Sequence, residues 1–233
     1  RLVRKAPARV PVLRGHMVWK AIVAFLAAYA LGSIAPGVFW GWTMRRIDVR
    51  LHGSGRTGGT NVWRTAGFWP ALLTAIFDAL KGTAAVWLAG LLGLPVWAQA
   101  VAGTLAVLGH NYSVFMKFRG GAGTATSVGA AALFWPGSLL VLILSGVAAG
   151  LLVGHASVAS ILVALLLPVI FLLRGEGVLA LAFGLPVMVL TLRALAPNIG
   201  RLLRREERFL PIYQKRPPLI RLSRWTPPDE RPV

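Results

Sequence analysis

Seven apolar runs alternate with short polar breaks along the chain, at residues 17–44, 68–94, 96–109, 124–134, 136–153, 156–173 and 177–195. The breaks fall at 45–66, at Leu94-Pro95, at 110–123, at Trp135-Pro136-Gly137, at Gly154-His155 and at 174–177. Most runs approach the roughly 20 residues that an α-helix needs to cross hydrocarbon, and no apolar/polar alternation of the strand type competes with them. Two are shorter. At about 1.5 Å per residue, 96–109 and 124–134 reach only about 21 Å and about 17 Å, so each is expected to be short, tilted or partly re-entrant. The pattern predicts an all-α, polytopic integral membrane protein of about seven transmembrane helices with Gly-rich and basic loops.

Composition supports this reading. Of 233 residues, 56% are hydrophobic and 14% charged, and the mean hydropathy is +0.68, too apolar for an ordinary soluble domain. Lys+Arg number 25 against Asp+Glu 7, a balance that would suggest nucleic acid in a soluble protein. Here the cations lie in tails and loops beside apolar runs, so membrane lipids and phosphorylated substrates, not nucleic acid, are the expected partners. The absence of cysteine excludes disulfides, thiolate nucleophiles and Cys-ligated zinc, and four scattered histidines with seven acids give no metal or cofactor site. Nothing in the pattern fixes an oligomeric state.

Charge also sets the topology. The loops 45–66 and 110–123 and the tail after Arg193 hold most of the Lys and Arg beyond the N-terminal tail, which places all three in the cytoplasm. Seven crossings satisfy this, whereas fusing 124–153 into one helix would put the basic tail outside. Arg1, Arg4, Lys5, Arg9 and Arg14 oppose the rule at the other end. Because Met17 opens the first run, residues 1–16 are expected to be a basic extension, 17–209 the membrane domain and 210–233 a Pro/Arg-rich, surface-associated tail.

Three polar loops carry the candidate chemistry. Residues 51–67 read LHGSGRTGGTNVWRTAG. Gly53 and Gly55 let backbone N–H groups turn toward an anion, Ser54, Thr57, Thr60 and Asn61 add short polar groups, and Arg56 and Arg64 add fixed charge. It is not a nucleotide P-loop, since no Gly-Lys-[Ser/Thr] follows and no strand precedes. In the second loop Gly120, Gly121 and Gly123 precede a helix expected near Thr124, a favourable place for an anion, with Lys117 and Arg119 beside it. The third holds Asn198, Arg201, Glu206 and Glu207 among further arginines. Asp78 and Lys81 lie i,i+3 within an apolar helix and are expected to pair.

In order along the chain, GSIAPG (32–37), DVRLHGSGRTGGTNVWRTAG (48–67), DALKG (78–82), GHNYSVFMKFRGGAGTAT (109–126) and NIGRLLRREE (198–207) resemble the blocks of the PlsY-type acyl-phosphate:glycerol-3-phosphate acyltransferases of bacterial membranes. The likeness runs from about Met17 to Glu207. It implies a multi-pass enzyme of the bacterial cytoplasmic (inner) membrane whose motifs meet at the cytoplasmic face. Such an enzyme takes acyl phosphate and glycerol 3-phosphate to lysophosphatidic acid and phosphate, without a cofactor.

The resemblance implies catalytic roles for Ser54, Arg64, His110 and Asn198. For His110 the role is either ordering the loop or acting near the acceptor hydroxyl. Substrate binding would fall to Gly53, Gly55, Arg56, Thr60, Asn61, Lys117, Arg119, Gly120, Gly121, Gly123, Arg201 and Glu206 or Glu207. The chain departs from the family pattern at three places: Arg56 stands where Asn is usual, Ala122 where Gly-Gly-Lys-Gly has Lys, and Leu195 where a histidine precedes the asparagine. These departures leave open a divergent enzyme with another acceptor, or a catalytically silent lipid-phosphate-binding protein. A transporter fits less well, because the chain has no internal repeat and its polar motifs gather on one side.

Overall fold

The computed structural model describes residues 15–213 and 216–224. Most of the expected basic extension, residues 1–14, and the end of the tail, 225–233, lie outside the described residues. The order is α1 (Gly15–Ser33), α2 (Pro36–Arg45), α3 (Gly59–Ala66), α4 (Phe68–Leu91), α5 (Val96–Asn111), α6 (Thr124–Phe134), α7 (Gly137–Val153), α8 (Ala156–Leu173), α9 (Gly177–Ala194) and α10 (Ala196–Leu203). No strand occurs among the described residues.

Apolar stretches long enough to cross hydrocarbon are Met17–Arg45, Phe68–Leu91, Ala156–Leu173 and Gly177–Ala194; Gly137–Val153 and Thr124–Phe134 are shorter. The run 17–44 is interrupted. Its chain leaves the helix after Ser33 and re-enters at Pro36, whose fixed φ and missing N–H suit a first helical position. The first polar break is not all loop, since it contains a 3-10 turn, Val49–Leu51, and the amphipathic α3. Trp135 is extended and separates α6 from α7, so 124–153 is two helices.

Packing relies on small residues, as expected where lipid supplies no hydrophobic drive between helices. Ala21, Ala24 and Ala28 of α1 meet Ala98, Ala102 and Ala106 of α5, with Ala85 and Ala89 of α4 closing the cluster. A second core stacks Phe134, Phe171 and Phe183 edge to face between α6, α8 and α9. In α9, Ala180–Gly184 forms a π turn facing Pro168 of α8. Long apolar side chains such as Leu26, Trp87, Leu140 and Leu181 point outward, more than half exposed, as a lipid-facing surface requires.

The tightest crossing is between α4 and α6. A Cβ on Gly82 would lie 2.0 Å from the Thr126 carbonyl oxygen, and one on Gly129 2.0 Å from that of Ala79, so the two backbones touch. Gly82→Val should therefore lower the thermal midpoint of the detergent-solubilised protein, with an overpacking cost of about 1–3 kcal/mol or more. Gly177→Ala, with open space around it, should leave the midpoint unchanged.

Candidate active site

One asparagine shapes the first loop. Asn61, in the first turn of α3 and 2% exposed, shares its amide N–H bonds among the carbonyls of Val49 (2.8 Å), Arg56 (2.9 Å) and His52 (3.1 Å). Its Oδ1 accepts from the Ser54 N–H at 2.8 Å. Both amide N–H donors are used inside the loop, so Asn61 organises its backbone. Asp48 stiffens the entry by accepting from the Arg50 N–H and guanidinium, a contact that holds its carboxyl below the usual range. Ser54 is exposed, Thr60 half-buried and Thr57 buried.

The two arginines of this loop turn inward. Arg56 donates from Nη2 to the Ala194 carbonyl at the end of α9. Arg64 donates to the Arg208 carbonyl at 3.2 Å and reaches that of Phe209 at 3.5 Å, while its Nε is buried without a partner. Burial pulls both guanidinium groups below the ordinary arginine value; the Arg201 charge adds to this at Arg56, and the Glu207 carboxylate opposes it at Arg64. Among the described residues neither has a carboxylate within ion-pair distance. Two half-buried, like-charged guanidinium groups without a carboxylate partner leave positive charge unneutralised at this place.

The second loop lies flat on the end of α5. Gly121 N–H donates to the His110 carbonyl at 3.1 Å. A Cβ on Gly120 would fall 1.8 Å from that oxygen, and one on Gly121 2.2 Å from His110 Nε2, so packing alone demands glycine at both positions. Gly121 also touches the first loop, its Cα lying 3.7 Å from where a Gly58 Cβ would be. Beyond Gly123, in the left-handed region at φ 84°, α6 starts at Thr124 and presents its free N–H groups. Lys117 and Arg119 stay exposed at the rim.

Beneath this loop lies a buried charged cluster. Lys81 Nζ sits 2.7 Å from Asp78 Oδ1, 2.7 Å from the Ile34 carbonyl and 2.8 Å from His110 Nδ1. His110 Nδ1 also lies 3.2 Å from Asp78 Oδ1, and its Nε2 faces Gly121. The expected Asp78–Lys81 pair thus includes His110, whose ring supports the second loop from below.

The third loop converges on Glu207, 3% exposed, which accepts from Asn198 Nδ2 (2.8 Å), Arg201 Nε (2.8 Å) and Ser157 Oγ (3.3 Å). Of the two candidate acids, Glu207 faces inward, while Glu206 makes an exposed pair with Arg204 at 2.9 Å. A fourth segment, 154–157, had not been singled out from the sequence. Ser157 reaches Glu207, and His155 stacks on Phe209 with ring centroids 4.5 Å apart while its Nδ1 meets the Arg208 carbonyl at 3.2 Å. The signal available was a Gly-His-x-Ser interruption between two apolar runs, at a turn on the same side as the basic loops.

Fold and site together define a polytopic helical membrane protein with a positively charged polar centre where four interhelical segments meet. Residues 22–205 match the model of the glycerol-3-phosphate acyltransferase family, and the chain belongs to that family. The glycerol-3-phosphate acyltransferase of Synechococcus sp. (strain JA-3-3Ab) is 42% identical over 186 residues, 78% of this chain and 90% of that protein. Glycerol-3-phosphate acyltransferase 1 of Deinococcus radiodurans is 49% identical over 120 residues, 52% of this chain and 60% of that one. The solved structure of PlsY (YgiH), an integral membrane glycerol 3-phosphate acyltransferase in its glycerol 3-phosphate form, superposes with a TM-score of 0.76 at 31% identity, covering 82% of this chain and 96% of that one. Its lysophosphatidic acid form gives 0.73.

If the Arg56 and Arg64 guanidinium groups await an anion, inorganic phosphate should raise the thermal midpoint of the wild-type protein by mass action. Arg64→Ala should abolish the rise and Arg56→Asn should reduce it. Equal rises in all three proteins would place phosphate elsewhere.

Proposed function

We propose that this chain transfers an acyl group from acyl phosphate to the 1-hydroxyl of glycerol 3-phosphate, in a seven-crossing arrangement whose site faces the cytoplasm from the bacterial inner membrane. The observation that carries the reading is that Arg56 and Arg64, both half-buried, have backbone carbonyls and no carboxylate as partners among the described residues. Both substrates bear a phosphate, and the family relatives are named for the acceptor.

In this mechanism Arg64 and Arg56 hold phosphate, helped by the N–H groups at the start of α6 and by Gly53, Gly55, Thr60 and Gly120–Gly123 around the opening. Ser54, exposed at the mouth, and Asn198, anchored on Glu207, orient the acceptor. Lys117 and Arg119 attract the anions to the rim, and Arg201 completes the positive field. Asn61, Glu207 and His110 act as positioning residues. The acceptor hydroxyl attacks the acyl carbonyl, the bond from that carbon to the phosphate oxygen breaks, and the proton leaves with the phosphate.

Direct attack is favoured over an acyl-enzyme. Among the described residues no histidine hydrogen-bonds Ser54, and His110 and His155 are committed to Lys81 and to the Arg208 carbonyl. The departures at Arg56 and Leu195 are spatial neighbours, because the Arg56 guanidinium sits on the carbonyl that precedes Leu195. A long cation there takes up charge that the loop with Ala122 does not supply.

Release of phosphate from acyl phosphate, measured with glycerol 3-phosphate and beside acyl-CoA and acyl carrier protein donors, tests the reading. Turnover should fall about 100-fold or more in Arg64→Ala and strongly in Ser54→Ala. Arg56→Asn should lose activity that Ala122→Lys, added to it, recovers. An inactive wild type with every donor would overturn the assignment.

Topology is checked with single cysteines in this cysteine-free chain. Leu51, Lys117 and Arg205 are exposed, whereas Thr57 is buried and unsuited to labelling. An impermeant thiol reagent should leave all three cysteine variants unlabelled in intact cells, and labelling of any one from outside would refute the arrangement.

A further inference from the structure

The family match ends at residue 205, and the chain beyond it folds back along the bundle as a closed loop. Arg205 turns in the left-handed region at φ 60°, and the Arg224 N–H returns to its carbonyl at 3.0 Å. Between these points the loop is pinned to the end of α7. Leu210 N–H donates to the Gly154 carbonyl and Ile220 N–H to that of Leu152, both at 2.8 Å, and Tyr213 donates its hydroxyl proton to Leu151. The Leu151 and Leu152 carbonyls belong to the last turn of α7 and Gly154 caps it, so the loop supplies donors that the helix end lacks. Phe209 and Pro218 pack directly over Gly154.

This seat fixes which way the loop faces. Leu151 and Leu152 are nearly half exposed on an apolar helix, so their flank is the lipid-facing one. The loop therefore lies at the rim of the bundle where hydrocarbon gives way to headgroups. There it presents Leu219, 81% exposed, with Ile220 and Leu222 beside it. Arg216, Arg221 and Arg224 alternate with these aliphatic residues, and residues 216–224 contain no acid. Exposed aliphatic and cationic groups interleaved at a membrane edge match an anionic headgroup layer in both chemistry and position.

We propose that residues 216–224 form an interfacial anchor in which Leu219, Ile220 and Leu222 enter an anionic leaflet while Arg216, Arg221 and Arg224 bind lipid phosphates. The anchor steadies the segment 207–209 over the site. That coupling has a defined route: Glu207 holds Asn198 and Arg201, and the carbonyls of Arg208 and Phe209 hold Arg64. The lipid contact stands independently of the proposed acyl transfer, and only its effect on turnover rests on that reading.

The test uses the full chain with Leu219→Cys, labelled with an environment-sensitive fluorophore and placed in nanodiscs of phosphatidylcholine with or without one-quarter phosphatidylglycerol. With phosphatidylglycerol present, emission should shift to the blue and be quenched by lipids spin-labelled near the headgroup. Adding Arg216→Ala, Arg221→Ala and Arg224→Ala should weaken both effects and make the remainder insensitive to salt. Leu222→Cys serves as a second reporter should the first perturb the loop. Water-like emission without quenching in both lipids would overturn the proposal. So would a shift that follows protein concentration in neutral discs, which would mark self-association. In turnover, phosphatidylglycerol should stimulate the wild type several-fold and the triple arginine variant not at all, with equal rates in detergent. If the wild type transfers no acyl group, the fluorescence result still decides the anchor.

Discussion

The ammonium of Lys81 joins three parts of the molecule that apolar packing alone would leave independent. It caps the Ile34 carbonyl exposed where the first crossing is interrupted, pairs with Asp78 one turn earlier on α4, and fixes the His110 ring at the end of α5. Through His110 the constraint passes to Gly121, and through the Gly121–Gly58 contact to the first loop. A charge in this setting survives only because each of its donors is used. Removing it would leave a buried carboxylate uncompensated, at a cost of about 3–5 kcal/mol.

Above that base, polar capacity is divided between structure and ligand. Asn61 and Glu207 are engaged mainly by the protein: the first holds a loop in shape, the second gathers Asn198, Arg201 and Ser157. Arg56 and Arg64 are not saturated, and among the described residues their acceptors are backbone carbonyls. The contrast separates residues that build the site from residues available to a phosphate. It also explains why the loops carry so much glycine: Gly120 and Gly121 are dictated by contact with His110, whatever the loop binds.

The helical architecture and the polar loops were legible because apolar run length and charge placement act locally. The interruption at Ile34-Ala35 was less so, since a proline after Ala reads equally well as a tolerated kink, and the carbonyl it frees is answered by a lysine 47 residues away. Glu206 and Glu207 were indistinguishable in sequence; only the return of the tail decides which one faces inward. Asn61 looked like a ligand group because a side-chain amide beside glycines suits phosphate, yet the same amide suits three nearby carbonyls better. Ser157 was missed because its partner lies 50 residues away.

The shortness of α6 sets the depth at which chemistry takes place. Eleven residues span about 17 Å, little more than half of a hydrocarbon layer about 30 Å thick. A helix of that length cannot end at both surfaces, so on this flank either the site is sunk below the headgroups or the bilayer is pinched to meet it. In both cases polar and apolar media lie closer together here than elsewhere around the bundle. The charged groups of the loops and the lipid-facing side chains are thereby brought within a few helical turns of each other.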